Sequence, residues 1–199
     1  LRLRLIEENA CCLNEYSLVP ISFNVTERLN LERVERGIEA ASLPTRAVTP
    51  SYVKDYDLIR GHRPTEWGLR WDLSKWRFVA AYLDGHRAAG AAVVIDTTEI
   101  EGESARADVA VLWDLRVRAE CRRQGIGRQL IGYVEDLIRA HGMMCLKAET
   151  QDVNVAACRF YARSGFLLKD INRSAYPDLP DEVQIVWTKG IRTCAADVP

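Results

Sequence analysis

Hydrophobic and polar positions change period abruptly past the middle of the chain. Val109, Val111, Trp113, Leu115 and Val117 alternate with Ala110, Leu112, Asp114, Arg116 and Arg118, a period of two that predicts a strand. Ile126, Leu130, Val134, Leu137 and Ile138 then recur at helical spacing and define one apolar face. Between the two runs lies CRRQGIG, with Gly125 and Gly127 two residues apart.

Upstream, residues 1–6 alternate Leu with Arg and read as an opening strand, 7–16 as a short helix and 21–25 as an extended piece. Leu29, Leu31, Val34 and Ile38 give residues 26–41 helical spacing, and Pro44 breaks the chain after them. Residues 46–57, RAVTPSYVKDYD, form a polar, aromatic segment that caps the sheet. Residues 61–76 are rich in Gly, Pro and Trp and read as a loop with one helical turn. Trp67, Trp71 and Trp76 either fill the core edge or line a pocket, and core duty is the commoner fate. Residues 78–83 and 88–95 flank Asp84-Gly85, a hairpin signal. Downstream come a strand at 143–150, a helix opening at Asn154, strands from Phe166 and over 182–188, a loop at 172–181 and a loose tail at 193–199. With no repeat or linker, one α/β domain over 1–199 is expected.

Composition narrows the function classes. A formal net charge of -1 argues against a nucleic-acid or polybasic membrane partner, although 22 arginines against five lysines suit bidentate anion contacts. Cys11, Cys12, Cys121, Cys145, Cys158 and Cys194 show no CxxC or metal-ligand spacing, so reduced thiols and no metal are expected. No apolar run is long enough for a bilayer or a leader, which together with the thiols suggests a cytoplasmic protein. His62, His86 and His141 have no paired nucleophile or metal-ligand spacing.

The glycine-containing turn carries the chemistry. A helix N-terminus collects unpaired N–H groups and suits an anion such as a diphosphate. Arg122-x-x-Gly125-x-Gly127 after a strand resembles the acyl-CoA motif of the GNAT superfamily of N-acetyltransferases. It lacks GxxxxGK[ST] and the third glycine of a dinucleotide fingerprint. Asn154-x-x-Ala157-x-x-Phe160-Tyr161-x-x-x-Gly165-Phe166 is similar to the second signature of that superfamily. Its spacing lets Ala157 and Phe160 pack inward while Tyr161 faces elsewhere. LKAETQDVNVAACRFYARSGF and TPSYVKDYD resemble, more narrowly, streptothricin acetyltransferases, antibiotic-resistance enzymes acting on an amine of a β-lysine side chain. That family commonly has an acidic run after KDYD. Here LIRGHRPTEWGLRWDL, with Arg60, Arg63 and Arg70, takes its place.

The resemblance implies an acyl-CoA N-acyltransferase fold, a central mixed, mostly antiparallel twisted sheet flanked by helices. It also implies acetyl transfer from acetyl-CoA to an amine in a ternary complex, with room for a homodimer. Main-chain groups of Arg123, Gln124, Gly125, Ile126, Gly127 and Arg128 would hold diphosphate, and Arg122, Arg123 or Arg128 could add side chains. Leu115 and Val117 would offer backbone groups to the pantetheine arm, with Asn154 and Ala157 beside it; Asn154 could instead simply cap its helix. Tyr161 would protonate the departing CoA thiolate or hold the cofactor's sulfur by a hydrogen bond, with a core tyrosine whose hydroxyl is satisfied as the alternative. Asp114 or Glu149 would accept the amine proton, and the two are left as alternatives. Tyr52, Asp55 and Tyr56, with Lys54 between them, would line the acceptor together with these acids. Three accounts follow: a small-molecule N-acetyltransferase, a protein or peptide N-acetyltransferase, and a non-catalytic CoA-binding regulator.

Overall fold

A computed structural model describes residues 2–34, 43–102 and 105–191. Among these the strands are β1 (Leu3–Glu8), β2 (Phe23–Leu29), β3 (Thr45–Lys54), β4 (Trp76–Leu83), β5 (His86–Val94), β6 (Val109–Val117), β7 (Cys145–Gln151), β8 (Leu167–Asn172) and β9 (Gln184–Gly190). Two single-turn helices, α1 (Leu13–Tyr16) and α2 (Thr98–Glu101), accompany the longer α3 (Ile126–Ala140) and α4 (Val155–Arg163). The architecture is the expected mixed, mostly antiparallel sheet flanked by helices. No described helix is long and apolar enough to cross a membrane. The chain divides into two compact units. One holds the described residues within 1–20, 64–146 and 190–199, the other those within 21–63 and 147–189.

In the first unit β1, β4, β5 and β6 are antiparallel neighbours in that order. Asp84 and Gly85, both at positive φ, make the two-residue turn between β4 and β5. Strand β5 is nearly all small residues, HRAAGAAVV, because an aromatic ring lies against it: a Cβ on Gly90 would fall 2.5 Å from Cε2 of Tyr16. Tyr16 is fully buried and meets Trp67 and Phe78 edge-on. Trp67 and Trp76 pack on Trp113 in turn, and Trp71 meets Trp113 at 5.9 Å. The tryptophan-rich stretch therefore builds core.

Strand β6 is covered on both faces, and its more buried face is Ala110, Leu112, Asp114 and Arg116, not the Val/Trp/Leu row. The alternation is as expected, but two charged residues go inward because they satisfy each other. Helix α3 buries Ile126, Leu130, Ile131, Val134, Leu137 and Ile138, the expected stripe widened by Ile131. It ends in a paired closure, Gly142 N–H to Arg139 O at 2.9 Å and Met143 N–H to Ile138 O at 3.0 Å.

In the second unit β7, β9 and β8 are neighbours in that order, and β2 pairs with β3. Two expectations are corrected here. Residues 26–41 do not open as a helix, since Phe23–Leu29 is strand β2 and a turn follows; residues 35–42 lie outside the described set. Pairing with β3 holds β2 extended, with Val25 and Leu29 buried, Glu27 paired with Arg159 and Arg28 with Asp152. The segment over 46–57, expected to cap the sheet, is mostly strand β3, the partner of β2. The expected tail at 193–199, and Cys194 within it, also lie outside the described residues.

Helix α4 starts where expected. Asn154 accepts the Ala157 N–H at 3.2 Å, and the C-terminus closes with Gly165 N–H to Ala162 O and Phe166 N–H to Tyr161 O. Its buried face is Val155, Cys158 and Tyr161, while Ala157 and Phe160 are half-buried, the reverse of the expected facing. Spacing by three from Val155 makes that inner row, and Cys158 meets the Thr150 hydroxyl at 3.3 Å beneath it. Burial pushes the Cys158 thiol up to about 12.

Candidate functional site

In the first unit the turn between β6 and α3 forms a cradle that opens on a helix N-terminus. Residues Ala119–Cys121 make a 3-10 turn, then Arg123 (φ 63°) and Gly125 (φ 81°) enter the left-handed region on either side of Gln124. A left-handed arginine costs about 1–2 kcal/mol, strain that is retained where geometry matters. Gln129 is the first residue whose N–H bonds back into α3, to Gly125 O at 3.1 Å. The N–H groups of Ile126, Gly127 and Arg128 thus precede the helical ladder, at the positive end of the dipole. Apart from its own chain neighbours, no described atom lies within 4 Å of where a Gly125 Cβ would be, so the backbone there is open to close approach.

Side chains brace this turn from behind. Arg122 Nε donates to Val117 O at 2.9 Å, Gln124 Nε2 to Glu120 O at 3.1 Å, and Arg118 Nε to Arg87 O at 2.8 Å. Arg122 and Gln124 therefore hold the loop's shape. Arg123 and Arg128 are exposed, with no hydrogen-bond or ion-pair partner among the described residues. Because the Arg118 N–H bonds Ala88 O, the ladder alternation turns the backbone groups of Leu115 and Val117 away from β5. The Val117 carbonyl is already taken by Arg122.

Asp114 has a different occupation from the expected one. Its Oδ1 accepts from Tyr16 OH at 2.6 Å and Arg116 Nε at 2.8 Å, and its Oδ2 from Arg116 Nη2 at 2.7 Å. Arg116 also donates from Nη1 to Val19 O at 3.1 Å, and its guanidinium lies 5.2 Å from the Tyr16 ring centre. Asp114 is 9% exposed and Arg116 2%. Burial, then the Asp114 charge, keeps the Tyr16 phenol protonated. This is a closed, charge-neutral core pair.

The second unit gathers a polar cluster in which β7, β9 and the 173–183 connection meet. Glu149 on β7 is exposed; its Oε1 accepts from the Tyr176 hydroxyl and its Oε2 from Gln184 Nε2 at 2.6 Å. Gln151 Nε2 donates to the same Tyr176 oxygen at 3.0 Å. Nearby, buried Glu182 pairs with Lys54 Nζ through Oε1 and accepts from Tyr56 OH through Oε2 at 2.9 Å. The Lys54 ammonium also lies 4.9 Å from the Tyr56 ring centre. Burial and then Glu149 raise the Tyr176 phenol, and burial and then Glu182 raise Tyr56, to which Tyr176 adds a smaller electrostatic push. Tyr52 is exposed and raised by partial burial and then Glu182.

Of the candidate acceptor residues, the structure thus groups Tyr52, Tyr56 and Glu149 with Lys54. Asp55 instead turns inward on its own loop, accepting the Asp57 N–H at 3.0 Å. Tyr176, Glu182, Gln184 and Gln151 were not anticipated. Tyr176 sits in a proline-containing stretch of turn formers where only the loop was legible, and Glu182 stood at the edge of a strand. Tyr161 is 6% exposed, its ring wedged edge-on between Phe160 at 5.3 Å and Phe166 at 5.1 Å.

The profile of the Acetyltransferase (GNAT) family matches residues 46–166. Over 80 residues the chain is 30% identical to streptothricin acetyltransferase A of Bacillus subtilis (strain 168), covering 39% of this chain and 46% of that protein. Over 70 residues it is 34% identical to the [Ribosomal protein bS18]-alanine N-acetyltransferase of Escherichia coli (strain K12), covering 35% of this chain and 47% of that one. The matched stretch spans about half the length of these curated relatives. Among solved structures, nourseothricin acetyltransferase superposes with a TM-score of 0.71 at 20% identity, over 96% of this chain and 100% of that one, a likeness of fold.

Proposed function

The chain belongs to the acetyltransferase (GNAT) family, and from that premise we propose that it moves an acetyl group from acetyl-CoA to a primary amine of a small molecule. The cradle fits a diphosphate: free helix-terminal N–H groups, open backbone at Gly125 and two unpartnered arginines. Acetyl-CoA supplies the activated acyl group. The chain's own work is to hold that cofactor, strip a proton from the amine and return one to the thiolate.

Glu149 is the residue to accept the amine proton, and one observation carries that choice. Of the three acids in question, Asp114 is neutralised by Arg116 and Glu182 by Lys54, whereas Glu149 is held only by the neutral donors Tyr176 and Gln184. Among the described residues its charge is left uncompensated for an arriving ammonium. An alkylammonium of pKa about 10 is free base in roughly one molecule per thousand at pH 7, so a positioned base has much to contribute. Tyr161 is the acid: an ordinary phenol is protonated at neutral pH and its ring is locked by two phenylalanines.

A lysine-like amine suits one uncompensated carboxylate among phenols, and exposed Arg60 and Arg63 disfavour a strong polycation. The streptothricin-like blocks support a small molecule, with antibiotic resistance as the corresponding role. The 34% match to the ribosomal-protein enzyme supports a second reading, an α-amine at a protein N-terminus. Acetyl-CoA consumption and product mass, measured over lysine derivatives, streptothricin, polyamines and alanine-starting peptides, separate them. Efficient turnover of peptides alone would overturn the small-molecule assignment.

A further inference from the structure

We propose that Tyr176 is a positioning residue whose hydroxyl, oriented by Gln151, fixes the Glu149 carboxylate for the arriving amine. This rests on the reading of Glu149 as the proton acceptor. A phenol has one proton to give and lone pairs with which to accept. Gln151 Nε2 donates to the Tyr176 oxygen at 3.0 Å, so the phenol proton is left for Glu149 Oε1, which stands on its other side. The chain of donors runs one way, Gln151 to Tyr176 to Glu149. Gln184 fixes the second carboxylate oxygen at 2.6 Å, so the side chain is held at both ends of its fork. Each oxygen keeps a lone pair for an N–H of the incoming ammonium.

The surroundings keep the relay in this state. Glu149 and Gln151 are two residues apart on β7, so both side chains leave the same face of the strand. Tyr176 arrives from the 173–183 connection, which is braced by its own turns: Leu179 N–H to Tyr176 O at 3.1 Å, Glu182 N–H to Leu179 O at 2.9 Å, and Ser174 N–H to Asn172 Oδ1 at 2.9 Å. The phenol is raised above its ordinary value by burial and the Glu149 charge, so it remains a donor across the working range. Without it the exposed carboxylate would sample several rotamers, and a base that must meet one N–H loses effective concentration. The connection between β8 and β9 thereby sets the geometry of a base that lies on another strand.

The test is a double-mutant cycle with Tyr176→Phe and Glu149→Gln, using whichever amine of the panel turns over. Tyr176→Phe keeps the ring and removes the donor. Its kcat/KM for the amine is expected to fall about ten- to a hundredfold, the range for losing a hydrogen bond to a charged group, with acetyl-CoA affinity by calorimetry unchanged. In the Glu149→Gln background the same change is expected to cost less than about threefold, because the group it positions is gone. Gln151→Met, which deletes only the orienting donor, is expected to give an intermediate loss. Wild-type kcat/KM in folded Tyr176→Phe, or losses that simply multiply in the double variant, overturn the relay. A severe loss in Glu149→Gln with a silent Tyr176→Phe refutes the relay alone. An unimpaired Glu149→Gln refutes the base assignment itself, and the relay with it.

Discussion

Asp114→Asn should damage stability and spare chemistry. The wild-type carboxylate is 9% exposed, clamped by both arms of Arg116 and by the Tyr16 hydroxyl. Asparagine is nearly isosteric but neutral, so Arg116, 2% exposed, would lose the carboxylate charge it is clamped to. Breaking such a pair from one side costs about 3–5 kcal/mol. For a chain of this size that corresponds to a Tm drop of about 6–20 °C. Thermal and urea unfolding give the first number. Steady-state kinetics below the new transition, normalised to folded protein, give the second, and kcat should stay within about threefold of wild type. A Tm within about 2 °C of wild type would refute the buried-pair account. A kcat loss of about a hundredfold or more in the folded variant would return Asp114 to the chemistry.

Gly125→Ala puts a side chain at φ 81°, costing about 1–2 kcal/mol of stability, and its methyl group stands where a diphosphate would approach. Calorimetry should show acetyl-CoA binding weakened roughly tenfold, while unchanged affinity would move the cofactor elsewhere. Gly90→Ala meets the Tyr16 ring at 2.5 Å and should displace it from Asp114, with a stability loss of about 1–3 kcal/mol that a Tyr16→Leu background relieves in part. Tyr56 and Tyr176 are raised in the folded protein above the ordinary 10.0, so their contribution is complete below pH ~10 and is lost as pH rises above it. Urea unfolding between pH 9 and 11 should show falling stability, with a shallower slope in Tyr56→Phe.

What could be read in advance was what local spacing determines. The alternation around Trp113, the stripe of α3 and the caps of α4 follow from residues a few positions apart, and each appears in the structure. The hairpin at Asp84-Gly85 is equally local. Only the start of β2 was expected to be extended, and β3 was missed, because Leu31, Val34 and Ile38 mimic a helical period, while the pairing that holds β2 extended comes from residues sixteen or more positions away. The cradle before α3 was legible as an order of strand, glycines and helix. The division of labour among the acids was not. Asp114 and Glu149 look alike as letters, and only Arg116, Tyr16, Tyr176 and Gln184 around them make one a core pair and the other an open carboxylate.

The central claim is that Glu149 takes the proton from the acceptor amine, and the pH dependence of Glu149→Gln tests it most directly. A base matters only while the amine arrives protonated. At pH 7 the variant should fall about 10²–10⁴-fold below wild type in kcat/KM for the amine. The gap should close as pH rises toward ~10, where an alkylamine is already substantially free base, with log kcat/KM of the variant climbing by about one for each pH unit. A defect of constant size from pH 7 to 9.5, or no defect at pH 7, would contradict the account.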